Sequence, residues 1–333
     1  MRTIVNSLRF SLLFSLLAAV GCGKSPSSST TSSTPTPGAP AAKKLVVGFA
    51  QVGSESGWRS ANTDSFKNEA AARGIDLRFS DADNKPDAMI ASMRAYIQQK
   101  VDVIIFSAIV ETGWDKVLTE AKAAGIPVIV EDRRADVPDD LYASFIGSDF
   151  VLEGKRAGDW LAKHTNGKAT IAVLEGTTGS APANDRAKGF AQAIAAYPDM
   201  KIIWSQNGEF TTAKGKEAFE AFLKTPDAKK VTALFAHNDD MALGAIQAME
   251  DAGIKPGKDI TIVSIDSNHD GLTAVLAGKL NCSVECTPLL GPKVLDIAKL
   301  VVAGLPVDKR IVVDETVFDQ SNLTQAILDA RKY

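Results

Sequence analysis

A chain of 333 residues exceeds one ordinary core of about 150 residues, so roughly two domains of typical size are expected. Its composition, 45% apolar, 23% charged and 7% aromatic, is that of an ordinary globular protein and excludes fibrous, disordered and polytopic membrane classes. A formal charge of -3 argues against an electrostatic nucleic-acid binder, because displacing counterions from phosphates requires a basic surface.

The amino end reads differently from the rest. Residues 1–21 carry Arg2 and Arg9 but no acid, then an apolar run from Leu12 to Val20, which is the layout of a secretory signal. A run of about nine residues is far short of the roughly 20 a spanning helix needs. Ala19-Val20-Gly21-Cys22 resembles a bacterial lipobox, with Ala19 where Leu is usual, so Cys22 is expected to carry lipid after cleavage. Of the 18 residues from Gly23 to Pro40, 14 are Ser, Thr or Pro. Such a stretch cannot bury a core, so 22–43 is expected to be a flexible tether. Loss of the two signal arginines leaves a mature charge of -5.

From Lys44 onward, short Val- and Ile-rich runs alternate with amphipathic stretches. Strands are predicted at 45–50, 77–80, 101–107, 128–131, 144–147, 170–174, 202–205, 233–236, 261–265 and 283–285, with helical patterns such as 87–99 and 114–124 between them. Strands apolar on both faces, each followed by a helix, imply parallel sheets covered on both sides. Gly74, Gly125 and Gly253 each close a helix before the next strand, at spacings too unequal for a solenoid. Two doubly wound α/β domains fit ten strands better than a single eight-stranded barrel.

Doubly wound sheets bind ligands beyond the carboxyl ends of their strands, so the residues just after each strand are the candidates. They are the run Gln51 to Arg59 after the first strand, Asp132-Arg133 after the fourth, and Glu175 to Arg186 after the sixth. Phe210, the run His237 to Asp240, Asp266 and Glu285 follow the seventh to tenth. Gly53 to Gly57 has the outline of a nucleophile elbow, but its centre is Glu55 and no activated hydroxyl is present. No glycine-rich phosphate loop occurs. Asp81, Asp83 and Asp87 suggest a calcium loop until Lys85 and Ser92 fill ligand positions, so a solvated turn is expected. Asn238, Asp239 and Asp240 fit helix capping, with His237 in support, and three histidines do not sustain a metal or acid–base cluster. Cys282 and Cys286 lie four apart on a predicted strand, about 13 Å, beyond the roughly 7 Å a disulfide allows, so two free thiols are expected. Arg59, Arg133 and Arg186 are set against Asp132, Asp266 and Glu285. That mixture suits a neutral polyol, whose hydroxyls donate to carboxylates and accept from arginine while Trp58 or an equivalent ring covers its C–H face.

These residues resemble the periplasmic sugar-binding proteins of the ribose and galactose type, the substrate-capture subunits of ABC importers. The likeness covers residues 44–320. The runs Val52 to Arg59, Thr112 to Trp114, Ala236 to Met241 and Lys255 to Ile260 look most like the galactofuranose-binding branch. The resemblance implies ligand contacts from Ser56, Trp58, Arg59, Asp132, Arg133, Arg186, Phe210, Asn238, Asp266 and Glu285, with Gln51, Glu55, Trp114, Asn184 and Asp185 as further candidates. Arg59 stands where ribose binders have a second aromatic and Glu285 where they have Gln, which points away from ribose. It further implies a periplasmic-binding-protein fold of two lobes, 44–148 plus 286–314 and 149–285 plus 315–333, joined by three hinge crossings. The expected function is capture of a neutral monosaccharide, galactofuranose or a related furanose or hexose, by hinge closure and delivery to a permease and its ATPase. No catalysis, cofactor, metal or nucleic acid is implied, and the expected state is a monomer in the periplasm or cell envelope, membrane-bound only through Cys22. A sugar or autoinducer-2-like sensor is the alternative output. A LacI-type regulator shares the fold but needs a DNA-binding helix-turn-helix where this chain has a signal and tether.

Overall fold

The computed structural model describes residues 44–333; the expected signal (1–21), lipidated Cys22 and tether (22–43) lie outside the described residues. In chain order the elements are β1 (Val46–Gln51), α1 (Gly57–Arg73), β2 (Asp76–Asp81), α2 (Pro86–Gln99), β3 (Val103–Phe106), α3 (Asp115–Ala123), β4 (Val128–Glu131) and β5 (Ser144–Gly147). There follow α4 (Phe150–His164), β6 (Lys168–Glu175), α5 (Ala181–Ile194), β7 (Asp199–Asn207), α6 (Thr212–Leu223), β8 (Ala233–Ala236), α7 (Asp239–Asp251), β9 (Thr261–Asp266) and α8 (His269–Leu276). The chain closes with β10 (Cys282–Glu285), α9 (Gly291–Val302), β11 (Arg310–Val312), β12 (Val317–Asp319) and α10 (Gln325–Ala330).

Two six-stranded sheets result, ordered β11-β5-β4-β3-β1-β2 and β12-β10-β9-β8-β6-β7. The fold is the two-lobed, parallel-sheet α/β architecture. In each sheet the order reverses beside the first strand of the lobe, between β1 and β3 and between β6 and β8, and that reversal opens a crevice at the carboxyl edge. All pairs are parallel except β12, which runs antiparallel to β10. β11 and β12 were not among the predicted strands, because three residues each are too few to show a period of two. The chain passes between the sheets after β5, after β10 and between β11 and β12, so each lobe is built from separated stretches of sequence.

The central strands are buried on both faces, as their apolar runs require: β3, β4, β5 and β8 are buried at every position. Their flanking helices begin at the cleft edge with side-chain caps. Ser56 accepts from the Arg59 amide, Ser180 from Ala183 and Asn238 from Met241. Each cap fixes where its helix starts and therefore which side chain the first turn points into the cleft. Cys282 and Cys286 are both buried free thiols.

Candidate functional site

The carboxyl edges of the two sheets face each other across a narrow cleft of about 300 Å³, counted with the solvent it opens to. The first lobe contributes Glu55, Ser56, Trp58 and Arg59 from the start of α1, and Asp132 and Arg133 from beyond β4. The second contributes Pro182 and Arg186 from α5, and Phe210, Asn238 and Asp266 from beyond β7, β8 and β9; Cys286 comes from the crossing after β10. A larger groove between α7 and α8, about 1240 Å³ with the solvent it opens to, lies outside the cleft. Its Glu250 and Lys279 satisfy each other at 2.8 Å, so converging charge singles out the smaller cavity.

Three lining residues that are not glycine hold left-handed backbone: Asp132 (φ 54°), Phe210 (φ 61°) and Asp266 (φ 124°). Each costs strain of the order of 1–3 kcal/mol, and their meeting at one crevice is what a ligand site looks like in backbone terms. Phe210 reaches its place because Gly176 has no side chain: a Cβ there would fall 1.8 Å from the Phe210 ring. The α4–α5 crossing depends on the same device. A Cβ on Gly154 would lie 2.1 Å from the Arg186 carbonyl oxygen, so only glycine lets the helices close enough to set Glu153 beneath Arg186.

Charges in the first lobe form one chain. Arg59 pairs with Asp132 at 2.6 Å and donates to Gln51 at 3.2 Å, while Glu55 takes Arg133 at 3.1 Å and lies 3.6 Å from Arg59. Ser107 also donates to Asp132 at 3.2 Å. Burial pushes the Glu55 carboxyl up, but Arg59 and Arg133 outweigh it and hold it below its ordinary value. Arg133 Nε and Nη1 are buried with no hydrogen-bond partner among the described residues, Nε lying 3.9 Å from Asp132, although Arg133 lines the cleft. Burial, ahead of repulsion from Arg59, lowers its pKa.

In the second lobe, Arg186 bonds Glu153 at 2.7 Å and the His237 carbonyl at 2.7 Å, and approaches Asp266 only to 3.9 Å. That last distance is too long for a hydrogen bond. Burial therefore dominates at Asp266 and drives its carboxyl well above the ordinary range, with Arg186 opposing and Asp239, Asp240 and Glu153 adding to the shift. Asn238 spends both ends of its amide on structure, capping α7 through Oδ1 and donating to the Phe210 carbonyl at 3.1 Å. His237 is fully buried and, by desolvation and then Arg186, lowered to about 3, so it stays neutral and receives the Gly176 amide.

Not every candidate reaches the cavity. Glu285 does not line it: its carboxylate takes Arg331 at 2.6 Å and the Thr316 amide at 3.0 Å, on the hinge side of β10. The acids that balance the arginines are instead Glu55 and, behind Arg186, Glu153. Trp114 packs beneath β3 against Phe106 and gives its indole N–H to Val110, serving the first-lobe core. Gln51 stands behind the cleft, bonding Asn62 and Thr63 as well as Arg59. Asn184 and Asp185 sit at the rim, where they bridge the lobes by bonding Glu111 at 2.7 Å and Arg134 at 3.2 Å. Trp58 is 6% exposed and packs into the second-lobe core with Phe150 and Ala181, and its indole N–H donates to the Cys286 carbonyl at 2.6 Å. Arg59 covers one of its faces at 4.6 Å. The Asp81–Lys85 stretch is a turn: Asp81 accepts from the Asp83 amide and Asp83 pairs with Lys85. Sequence reasoning missed Glu153, Glu111 and Arg134, which in sequence look like ordinary solvated charges. It also missed Cys286 as a lining residue.

Two matching lobes closed over a crevice of paired charges define a two-lobed ligand-capture protein, and family comparison gives the same class. Residues 47–306 match the periplasmic binding protein domain family, and the chain belongs to that family. It is 50% identical over 255 residues, 75% of this chain and 80% of the relative, to the galactofuranose-binding protein YtfQ of Escherichia coli. A solved structure from Mycobacterium smegmatis in complex with β-D-fucofuranose is 52% identical with a TM-score of 0.81, covering 83% of this chain and 92% of that one. The arabinose-transporter binding protein of Shewanella sp. ANA-3, bound to α- and β-L-arabinofuranose, is 47% identical with a TM-score of 0.83, covering 86% and 95%.

Proposed function

We propose that this chain is the extracytoplasmic substrate-binding component of an ABC sugar importer and captures a neutral furanose, galactofuranose or a near relative. The observation that carries this reading is the pairing of donors without a hydrogen-bond partner on one lobe with an acid that no side chain hydrogen-bonds on the other: Arg133 Nε and Nη1 against Asp266, lining one cleft. A sugar ring with vicinal hydroxyls accepts from the first and donates to the second at once, so it bonds both lobes only when they are closed. Its differential affinity for the closed form drives hinge closure between 44–148 plus 286–314 and 149–285 plus 315–333. Phe210 offers a ring face to the sugar C–H groups, Ser56 a hydroxyl beside them, and Asn238 and Trp58 hold the walls in place.

The cavity sets three arginines against three acids, Glu55, Asp132 and Asp266, a mixture of donors and acceptors that suits the hydroxyls of an uncharged sugar. The furanose-binding relatives at about half identity support the ring form. The chain binds its ligand without changing a bond and hands it to a permease and ATPase. No described helix is long and apolar enough to cross a membrane, and Cys22, carrying lipid, would tether the folded part through residues 22–43.

A thermal-shift panel of furanoses and pyranoses tests the reading, since a ligand at 100 times its dissociation constant adds about 2.7 kcal/mol. Galactofuranose, arabinofuranose or fucofuranose should raise the melting temperature. A shift with ribose or glucose and none with these furanoses would overturn the specificity.

A further inference from the structure

The three crossings between the lobes each place one side chain in a single cluster, in which Ser148 and Cys286 are buried and Glu315 is half-buried. Ser148 follows β5, Cys286 follows β10, and Glu315 lies between β11 and β12. Glu153 of α4 joins them: one oxygen of Glu153, one of Glu315 and the Cys286 sulfur lie within 4.8 Å of one another. Glu153 is fully buried and its Oε1 has no partner among ordinary donors, while Oε2 holds Arg186 in the cleft at 2.7 Å. Two carboxylates cannot face each other in a dry site without a proton or cation between them.

We infer that Glu153 and Glu315 share one proton, and that this proton-bridged pair positions Arg186 for the ligand and fastens the three hinge crossings together. Donors on every side fit a protonated Glu315 giving its hydrogen to Glu153. Glu315 Oε1 accepts from the Ser148 hydroxyl at 2.5 Å and the Thr287 amide at 3.3 Å. A proton on Glu315 has a Glu153 oxygen as its acceptor within 4.8 Å, with the Cys286 sulfur as close to both. The Ser148 oxygen lies 3.5 Å from the same sulfur. A cation is the weaker reading, because Arg186 already occupies Glu153 and burial keeps the Cys286 thiol protonated.

The charged groups around the pair are Arg186 from α5, Arg156 from α4, Arg310 from β11 and Asp266 from β9. Arg156 donates to the Glu315 carbonyl at 3.0 Å, and Arg310 to the Ser148 carbonyl at 2.6 Å. Among the described residues only Arg186 pairs with a carboxylate of the pair, so the two acids retain a net need for a proton. Burial first, and then Glu153, raises Glu315 to about 9; burial also raises Glu153 against the pull of Arg186. The proton belongs to the pair rather than to either residue.

The sign follows from linkage. A carboxyl raised in the folded chain binds more protons there than when unfolded, so its contribution is full below pH 4.5 and drains away as pH rises towards about 9. Urea unfolding of the full chain from pH 5 to 9 should show the wild-type folding constant falling, relative to Glu315→Gln, by up to tenfold per pH unit. Glutamine supplies a permanent N–H donor where the shared proton lies, and Glu153→Gln repeats the comparison from the other side. Parallel profiles for wild type and both variants would overturn the shared proton, as would a wild type whose stability rises on adding Zn²⁺ and falls with chelator.

Positioning of Arg186, which rests on the furanose reading above, is tested by calorimetry with galactofuranose. The wild-type Kd should weaken at least tenfold between pH 7 and 10 and that of Glu315→Gln less than twofold; equal pH profiles would remove the positioning role. Absence of binding in every variant at every pH would sink the furanose reading alone, and the urea profiles would still decide the proton.

Discussion

The two walls of the cleft hold their acids in opposite ways. On the first lobe, Glu55 and Asp132 are each locked to an arginine, and Glu55 is kept ionised against its own burial. On the second, Asp266 is buried with its nearest cation 3.9 Å away, and Asp239 behind it is pushed up to about 7 by desolvation. The acids of the first wall are therefore held by its own arginines, while Arg133 keeps two donors without a hydrogen-bond partner. The second wall holds an acid whose hydrogen-bonding capacity the protein leaves unspent, which on the proposed reading the ligand takes up. Placing the unfilled capacity on one lobe and the free Arg133 donors on the other is what makes closure depend on a bridging molecule.

Removing one acid from each wall separates these roles, and the larger effect belongs to the first. Asp132→Ala leaves Arg59, only 2% exposed, without its 2.6 Å partner. Breaking a buried pair in this way costs about 3–5 kcal/mol, tempered here by Glu55 and Gln51 nearby. Denaturant unfolding should register a loss of about 3 kcal/mol and calorimetry a large loss of sugar affinity; unchanged stability would mean the first wall is not structural. Asp266→Asn should behave in the reverse manner. It removes a poorly paired buried carboxyl, so stability should hold or rise, while the lost acceptor costs about 1–3 kcal/mol of binding, roughly 5- to 150-fold in Kd. If both variants lose stability equally and affinity equally, the two walls are not different in kind.

The contrast also explains what could be read in advance. The central strands announced themselves because a strand buried on both faces must be continuously apolar, as Val103–Phe106 and Ala233–Ala236 are, while the exposed edge strands β2 and β7 showed only short apolar runs. The topological rule then pointed to the residues after each strand, and it reached the wall residues Arg59, Asp132, Arg133, Phe210 and Asp266 directly. It misplaced Glu285 because that side chain turns to Arg331 from the distant carboxyl end and to the Thr316 amide, while the next residue, Cys286, lines the cleft. Trp114 misled for a related reason: its motif caps α3, and the ring turns inward to Phe106. Glu153 and Glu315 were illegible because their meaning lies in an encounter between residues more than 160 apart. One sits at the start of an amphipathic helix and the other in a polar loop, and neither local pattern signals burial.

The smallest expected effect tests whether the rim merely decorates the two walls. Arg134 reaches from the first lobe to Asp185 at 3.2 Å and also pairs with Glu111, which takes Asn184 at 2.7 Å. The Glu111 amide donates to the Gly179 carbonyl at 3.0 Å, so the same edge is also zipped by backbone. Because Arg134 is 38% exposed, its ion pair is screened and worth well under about 1 kcal/mol. Those contacts exist only when the lobes are closed, so their loss should fall on the rate of opening. Arg134→Ala should leave unfolding almost unchanged and raise the sugar dissociation rate by about two- to fivefold in stopped-flow measurements, with the effect fading at high salt. A faster association rate with unchanged dissociation would instead show the rim acting as a barrier to entry, and the division of labour between the walls would then need a third party at the edge.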